Sequence, residues 1–109
     1  METLSYRQVI QDLLQARAMN HSEDGVEVEL IFDRERDRYL VMLVGWHNQR
    51  REYSSLIHID IKDSKIWVQS DGTETGIANE LVKAGIPKQD IVLGYKSPFK
   101  RQFTEYAIN

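Results

Sequence analysis

Cysteine is absent from this chain, which excludes disulfides, thiolate metal sites and cysteine nucleophiles. The absence is consistent with a reducing compartment, and we expect a cytoplasmic protein. Long apolar runs are also missing, because no stretch approaches the ~18 residues of a membrane span. The N-terminal segment lacks the continuous apolar core of a secretory signal. We therefore expect neither export nor contact with a membrane.

Charge of one sign is not in marked excess either. The chain has 14 basic and 17 acidic side chains, a formal net charge of −3 and a pI of about 5.6. A protein that binds nucleic acid unaided usually presents a basic face, because neutralising phosphates supplies much of its affinity. The balance argues against tight, autonomous nucleic-acid binding and leaves a local basic patch open.

What is present is typical of one globular domain. With 109 residues, of which 41% are hydrophobic and 28% charged, the chain can bury one modest core. Internal repeats, low-complexity stretches and linker-like segments are missing from the sequence. We assign residues 1–109 to a single domain.

Hydrophobic periodicity predicts two helices and at least four strands. Apolar residues at spacings of three and four indicate helices from Ser5 to Met19 and from Glu74 to Ala84. Alternating or continuous apolar runs predict strands over Val26–Phe32, Tyr39–Trp46, Tyr53–Lys62 and Lys65–Gln69. Short polar connectors favour hairpins. The predicted fold is therefore α+β, with an antiparallel meander of four or more strands and both helices packed on one face.

The third strand and the C-terminal region carry two further predictions. Strict alternation places Tyr53, Ser55, Ile57, Ile59 and Ile61 on one face and Ser54, Leu56, His58, Asp60 and Lys62 on the other. The apolar run Ile91–Leu93 is either an extra strand or a packed segment. The tail Phe99–Asn109 fits a helix or an extended segment equally well.

Five runs of sequence, in order along nearly the whole chain, carry a family signal. They are Val26–Tyr39, Val44–Arg51 (VGWHNQRR), Ile57–Glu74 (IHIDIKDSKIWVQSDGTE), Gly76–Gly94 and Phe103–Ile108. Together they resemble the XisI family of cyanobacteria. The chain departs from the family where Asp63-Ser64 replaces a common Asn-Gly turn, and where Lys96-Ser97-Pro98 replaces a His-Pro-Pro-like element. Asp-Ser tolerates positive φ less well than Asn-Gly.

The resemblance implies a role in developmental DNA rearrangement. Members of the family are called controlling factors for excision of the fdxN element, which interrupts a nitrogen-fixation gene and is removed in differentiating heterocysts. A separate recombinase acts in that system, and XisI-like proteins usually accompany XisH-like proteins. The resemblance therefore implies a non-catalytic accessory factor without a cofactor, with an XisH-like protein as partner and a homodimer as a second possibility.

A mixed apolar and polar surface is the first candidate site. Trp46, Leu56, His58 and Trp67 are predicted to lie on the second face of the sheet, away from the helices. Such a surface suits a protein interface. The alternative is a small second core that the C-terminal tail covers.

An acidic-x-Lys step is the sharpest candidate for chemistry. Asp60 and Lys62 share a strand face, an arrangement found in many restriction-like nucleases, where the carboxylate helps to hold Mg²⁺ and the lysine helps to activate water. A second acidic ligand is needed, and Asp37 or Asp33 is the nearest upstream choice. The alternative is an ordinary solvated strand face. We predict no catalytic residue, and keep a metal-dependent nuclease as the competing hypothesis.

Histidines and arginines supply two weaker candidates. His47 could approach His58 and Asp60 if the second and third strands pair, but the spacing lacks a metal-ligand motif, and a cross-strand polar pair is simpler, so we predict no metal site. A direct DNA-binding regulator would use five arginines: Arg34, Arg36, Arg38, Arg50 and Arg51. For the run Asp33–Arg38, which alternates in charge, the alternative is a solvated hairpin tip.

Overall fold

The computed structural model describes residues 3–109, with the side chains of residues 3–5 excepted. The helices are α1 (Thr3–Asn20), α2 (Ile77–Lys83) and the single turn α3 (Pro98–Arg101). The strands are β1 (Val26–Asp33), β2 (Arg38–His47), β3 (Arg50–Lys62), β4 (Lys65–Asp71) and β5 (Ile91–Leu93), and a 3₁₀ turn spans Lys88–Asp90. Within residues 3–109, none of the helices combines the length and the apolar character that crossing a membrane demands.

The strands form one sheet in the order β1-β2-β3-β4-β5. Each of the first four strands pairs antiparallel with its sequence neighbour. β5 instead pairs parallel with β4, because a crossover through α2 returns the chain to the end at which β4 began. The α+β class and the strand number agree with the prediction, whereas a wholly antiparallel sheet is wrong. The run Ile91–Leu93 is the extra strand of the two alternatives.

One face of the sheet carries the hydrophobic core. The strands contribute Tyr39, Val41, Ile57, Ile59, Ile61, Ile66 and Val68, and the helices contribute Tyr6, Ile10, Leu14, Ile77, Ala78 and Leu81. The periodic positions of α1 and the alternating positions of the strands therefore meet in one buried cluster. Burying an aliphatic side chain of this size contributes roughly 1.5–3 kcal/mol.

A carboxylate sets the start of α2 later than the periodicity predicts. Asp71 accepts hydrogen bonds from the Thr73 backbone N–H (2.9 Å) and from the Ile77 backbone N–H (2.8 Å). These bonds hold residues 72–76 as a loop, and Gly76 has a positive φ of 81°. The helix consequently begins at Ile77 rather than at Glu74. At its other end Gly85 has a φ of 105°, in the left-handed region that glycine favours after the end of a helix.

A β-bulge interrupts the alternation of β3. Val41 pairs with Ile57, but Met42 pairs with Ser55, so Leu56 is the extra residue. A bulge reverses the facing of every residue on one side of it. Tyr53 and Ser55 therefore share a face with Val44 and Met42 rather than with Ile57, and the strictly alternating prediction is wrong for this half of the strand.

The C-terminal segment contains both of the conformations left open for it. After α3, Ala107 forms an isolated parallel bridge with Val92, and its backbone N–H donates to the Ile91 carbonyl (2.9 Å). The segment thus partly occupies the outer edge of β5. The β1 edge at the other side of the sheet has no strand beside it within residues 3–109.

Candidate interaction face of the sheet

The face of β1–β4 opposite the helical core is here called the open face. The strand registers place on it Ile31, Leu40, Met42, Val44, Trp46, Arg51, Tyr53, His58, Asp60 and Trp67. An apolar row runs along β2 from Leu40 to Trp46, and Glu27 and Glu29 flank it on β1. The face therefore combines an apolar strip with charged borders.

Two exposed aromatic residues and an arginine occupy one end of the open face. Trp46 is 55% exposed and Tyr53 is 68% exposed. The Arg51 guanidinium carbon lies 5.5 Å from the centre of the Trp46 ring and 5.8 Å from that of the Tyr53 ring, within the range of a cation–π interaction. The cluster is formed at the β2–β3 hairpin, where Trp46 pairs with Arg51 and Val44 with Tyr53.

Close approach of two backbone segments fixes the position of Trp46. Its backbone N–H donates to the Gly25 carbonyl (2.9 Å). A Cβ added to Gly45 would lie 2.1 Å from the Gly25 carbonyl oxygen, and one added to Gly25 would lie 2.2 Å from the Trp46 oxygen. Because glycine has no side chain at either position, the start of β1 can lie directly against the end of β2. The Trp46 backbone is thereby tied to the segment that begins β1.

Asp60 is a buried carboxylate with several polar partners. Only 6% of the residue is exposed. One of its oxygens, Oδ1, lies 2.9 Å from His58 Nε2 and 3.6 Å from Arg38 Nε, and Oδ2 accepts a hydrogen bond from Gln69 Nε2 (3.2 Å). The register explains the cluster, because Asp60 pairs with Arg38 on β2 and with Trp67 on β4. These contacts offset the cost of burying the charge.

Trp67 lies between two cations. The Lys62 Nζ is 4.3 Å and the Arg101 guanidinium carbon is 5.1 Å from the centre of its ring. Arg101 belongs to α3 and also donates from Nε to the Leu93 carbonyl (3.2 Å). The C-terminal region therefore covers part of this ring. At Trp67 the structure agrees with the alternative in which the C-terminal tail covers the second face of the sheet.

The family model described as "XisI protein" matches residues 1–108. This chain belongs to the XisI family. A XisI-like protein from Anabaena variabilis ATCC 29413 is 45% identical, with a TM-score of 0.92 over 97% of this chain and 98% of that protein. The fdxN element excision controlling factor XisI from the same organism is 38% identical, with a TM-score of 0.82 over 95% of this chain and 96% of that protein. A comparison with curated proteins finds no match.

Within this XisI-family fold, the four residues predicted for partner binding do not all come together. Trp46, His58 and Trp67 lie on the open face, but Leu56 packs against the core cluster on the helix side. The bulge is the reason, since it takes Leu56 out of the alternation. Arg38 pairs with Asp60, which pairs with Trp67. Trp46 lies eight residues from Arg38 along β2, a distance of about 27 Å. The two tryptophans therefore mark opposite ends of the face.

Sequence reasoning missed Tyr53 as a surface residue. Alternation from Ile57 backwards places it among the core residues, and the serines between them are compatible with either face. The Arg51 contact and the pairing with Val44 become visible only once the bulge is known. The Trp46–Arg51–Tyr53 cluster is the strongest aromatic feature of the open face.

The carboxylates proposed as the second ligand of a nuclease centre form hydrogen bonds with other groups. Asp37 accepts from Arg7 Nε (2.7 Å) and from the Tyr39 hydroxyl (2.9 Å), and the Arg7 hydrogen bond holds the Asp37 pKa below its usual value. Asp33 caps its own turn through the Arg36 backbone N–H (3.0 Å), which lowers the Asp33 pKa. The hydrogen-bond partners of these two carboxylates differ from those of Asp60, although the charge of Arg38 acts on both Asp37 and Asp60. Residues 3–109 contain no group of three or more His, Asp or Glu side chains placed to hold a metal ion.

His47 lies far from the other members of the proposed histidine cluster. It pairs with Arg50 at the β2–β3 turn, whereas His58 pairs with Leu40. Seven residues of strand separate the two positions, about 23 Å. The expectation that strand pairing could bring His47 near His58 and Asp60 is therefore wrong, although the strands do pair. The cross-strand polar arrangement around Asp60 is what the sheet forms instead.

The five candidate arginines divide between two ends of the sheet. Arg34 and Arg36 lie at the β1–β2 turn, where Arg36 pairs with Asp33 (3.0 Å), and Arg38 lies at the adjoining start of β2. Arg50 and Arg51 lie at the β2–β3 turn at the far end of β2. A single phosphate-binding surface made from all five is therefore not formed.

Proposed function

We propose that this chain is a non-catalytic controlling factor in the excision of a DNA element, and that it acts by binding a protein partner through the open face. Membership of the XisI family supports the role, as does the likeness to a solved fdxN element excision controlling factor. The proposed partner is an XisH-like protein. The observation that carries the binding mode is the exposed Trp46–Arg51–Tyr53 cluster on a rigid sheet.

The composition of this cluster is typical of a binding hot spot. Trp, Tyr and Arg are the residues most enriched where a few side chains carry most of the binding energy. Trp46 and Tyr53 each retain more than half of their exposure, so a partner could remove a large apolar area from water. The adjoining Leu40–Val44 row extends the same strip along β2.

Co-purification with the XisH-like protein encoded in the same cell tests the proposal. Both proteins are co-expressed, one of them tagged, and the dissociation constant of the purified pair is measured by calorimetry. Trp46→Ala and Tyr53→Ala should each weaken association by about 30-fold, the effect of a hot-spot residue worth ~2 kcal/mol. Trp67→Ala should weaken it less, because Lys62 and Arg101 already cover that ring.

Met19→Ala is the matched control for these variants. Met19 is 85% exposed and lies at the end of α1, on the helix side of the sheet. Its replacement should leave the dissociation constant unchanged. If the folded Trp46 and Tyr53 variants bind as well as the native chain does, the open face is not the binding surface.

A test of excision itself complements the binding test. A plasmid that carries the element is supplied with the recombinase, and excision is scored with and without this chain. Excision should require the native chain and should fall with the same variants that weaken partner binding. Excision that is independent of the chain would contradict the controlling role, whatever the binding data show.

A further inference from the structure

A second surface, at the C-terminal end of the chain, combines aromatic and basic side chains. The run Tyr95–Phe103 (YKSPFKRQF) interleaves three aromatics with three cations and contains no acidic residue, in a chain whose net charge is −3. Tyr95, Phe99 and Phe103 are 53%, 69% and 73% exposed. Residues 95–103, together with Lys62, Lys65 and Trp67, are called the cation–aromatic patch.

Local hydrogen bonds hold the aromatic rings in place. Ser97 caps α3 by accepting from the Lys100 backbone N–H (3.3 Å). Phe99 and Phe103 are four residues apart, and their rings meet edge to face with 5.3 Å between centres. Arg101 anchors the turn through its bonds to the Leu93 and Gly94 carbonyls. The two rings are therefore presented to solvent on an ordered segment.

The strands add cations to the same patch. Lys62 and Arg101 contact the same Trp67 ring, so α3 and the β3–β4 turn adjoin. Lys65 Nζ donates to the Asn109 carbonyl, and Lys62, Asp63, Lys65, Trp67 and Asn109 line one recess. Asp63 is the acid in that recess. The nearby Asp60 carboxylate is already engaged by His58, Gln69 and Arg38, so the local charge is positive.

We propose that the cation–aromatic patch binds single-stranded nucleic acid. The lysines and Arg101 would neutralise backbone phosphates, and Phe99 and Phe103 would stack on bases, which is how non-sequence-specific single-strand binders are built. A protein partner fits less well, because lysine is depleted from the cores of protein interfaces. A duplex fits less well, because its bases are not free to stack on exposed rings.

Fluorescence anisotropy with a labelled single-stranded DNA of mixed sequence, about 12 nucleotides long, tests the proposal. The native chain should bind it at least 10-fold more tightly than the matching duplex at about 50 mM salt. Each neutralised phosphate adds about −0.7 to the slope of log K against log salt for single strands. Five cations therefore predict a slope between roughly −2 and −3.5.

Two double variants separate stacking from charge. Phe99→Leu with Phe103→Leu removes the rings and should weaken binding at least 10-fold at an unchanged salt slope. Lys96→Gln with Lys100→Gln keeps the rings and should make the slope shallower by about 1.4. All four residues are solvent-accessible, and circular dichroism verifies that each variant is folded. Lys83→Gln removes one exposed lysine charge outside the patch, at the end of α2. It is the control for charge removal and should leave the salt slope unchanged.

Three results would overturn the proposal: no binding at low salt, equal affinity for single strand and duplex, or equal losses in the Lys83→Gln control. The outcome is independent of partner binding, because Trp46 and Tyr53 lie at the opposite end of the sheet. Loss of nucleic-acid binding with intact partner association would reject only the patch, and the reverse would reject only the open face.

Discussion

At the scale of single residues, Asp60 shows how a charge is accommodated on a half-open sheet. Its partners come from three strands, since Arg38, His58 and Gln69 lie on β2, β3 and β4. The Asp60 side chain is the buried member, whereas Arg38 and His58 remain partly exposed, so loss of Asp60 costs its hydrogen bonds and leaves its partners accessible to water. Asp60 is thus explained as a structural residue that joins the strands.

Asp60→Ala should lower the free energy of unfolding by about 2 kcal/mol, the scale of hydrogen bonds to a charged group, as measured by urea denaturation. Asp60→Asn keeps the shape and part of the hydrogen bonding, so its effect should be smaller. Glu52→Ala, on the same strand and outside the Asp60 cluster, is the control and should change stability by less than about 0.5 kcal/mol. An Asp60→Ala protein as stable as the native chain would contradict this account.

Two buried tyrosines make stability sensitive to alkaline pH. Tyr6 is 1% exposed and Tyr39 is fully buried. Burial and then the hydrogen bond to Asp90 raise the pKa of Tyr6 to about 12, and burial and then the hydrogen bond to Asp37 raise the pKa of Tyr39 to about 12. Each folded-state pKa exceeds the ordinary value of about 10, so the neutral form is favoured by folding.

The contribution of these two tyrosines to the free energy of unfolding is therefore fully present below pH 10 and is lost as the pH rises towards 12. The expected slope is of the order of 1 kcal/mol per pH unit for each tyrosine. Urea unfolding at pH 9, 10 and 11 measures it. Tyr6→Phe should remove the part of this pH dependence that Tyr6 contributes, whereas Tyr53→Phe, at an exposed position, should leave the pH dependence unchanged. A pH-independent midpoint over this interval would contradict the prediction.

At the scale of elements, the β3–β4 turn is strained by its sequence. Asp63 and Ser64 have φ values of 51° and 64°, and the flanking Lys62 and Lys65 pair with each other. Two consecutive positive φ values in a two-residue turn are the geometry that Asn-Gly adopts most easily. Asp63-Ser64 therefore adopts this turn conformation at a cost in backbone energy.

Ser64→Gly should raise the free energy of unfolding by about 1 kcal/mol, because glycine adopts this conformation without a Cβ penalty. Urea denaturation measures the change. Ser64→Ala retains the Cβ, so it is the matched control and should not stabilise the chain. Stabilisation of equal size in both variants would show that the turn conformation is not the cause.

The same elements show what a sequence determines on its own. Strand positions could be predicted because Val26–Phe32 and Ile57–Ile61 alternate, and helix α1 could be predicted from its three-and-four spacing. The bulge at Leu56 could not, since leucine suits either face and the preceding serines suit both. The late start of α2 depends on the Asp71 carboxylate reaching Ile77, six residues away. Tertiary contacts determine both the bulge and the start of α2. The bulge in turn determines the surface position of Tyr53.

At the scale of the whole molecule, the two faces of the sheet differ in what covers them. Helices α1 and α2 pack on one face. The open face retains an aromatic cluster at one end, and at the other Trp67, which Lys62 and Arg101 of α3 contact. Of the candidate sites, the placement of Trp46, His58 and Trp67 on that face followed from alternation, because the strands that carry them pair in the expected order. The division of the arginines between the ends follows from the same pairing.

The isolated chain should be monomeric, since the proposed function reserves the open face for a different protein. Size-exclusion chromatography with light scattering should give the chain mass of 12.8 kDa at micromolar concentration. Twice that mass, returning to the single mass in Trp46→Ala, would instead show that the open face pairs with a second copy. Twice the mass without that response would place self-association elsewhere, with the unpaired β1 edge as the first place to look.

The parallel pairing of β5 also orders events in time. β2, β3 and β4 each pair with the strand made immediately before, so these hairpins can close while the chain is still leaving the ribosome. β5 must wait for α2 to cross, and the bridge at Ala107 must wait for β5. Contacts between distant parts of a chain form slowly. The sheet is therefore expected to grow from its first edge towards its last. A nascent chain halted before residue 91 would expose the outer edge of β4, which β5 covers in the complete fold, to neighbouring molecules.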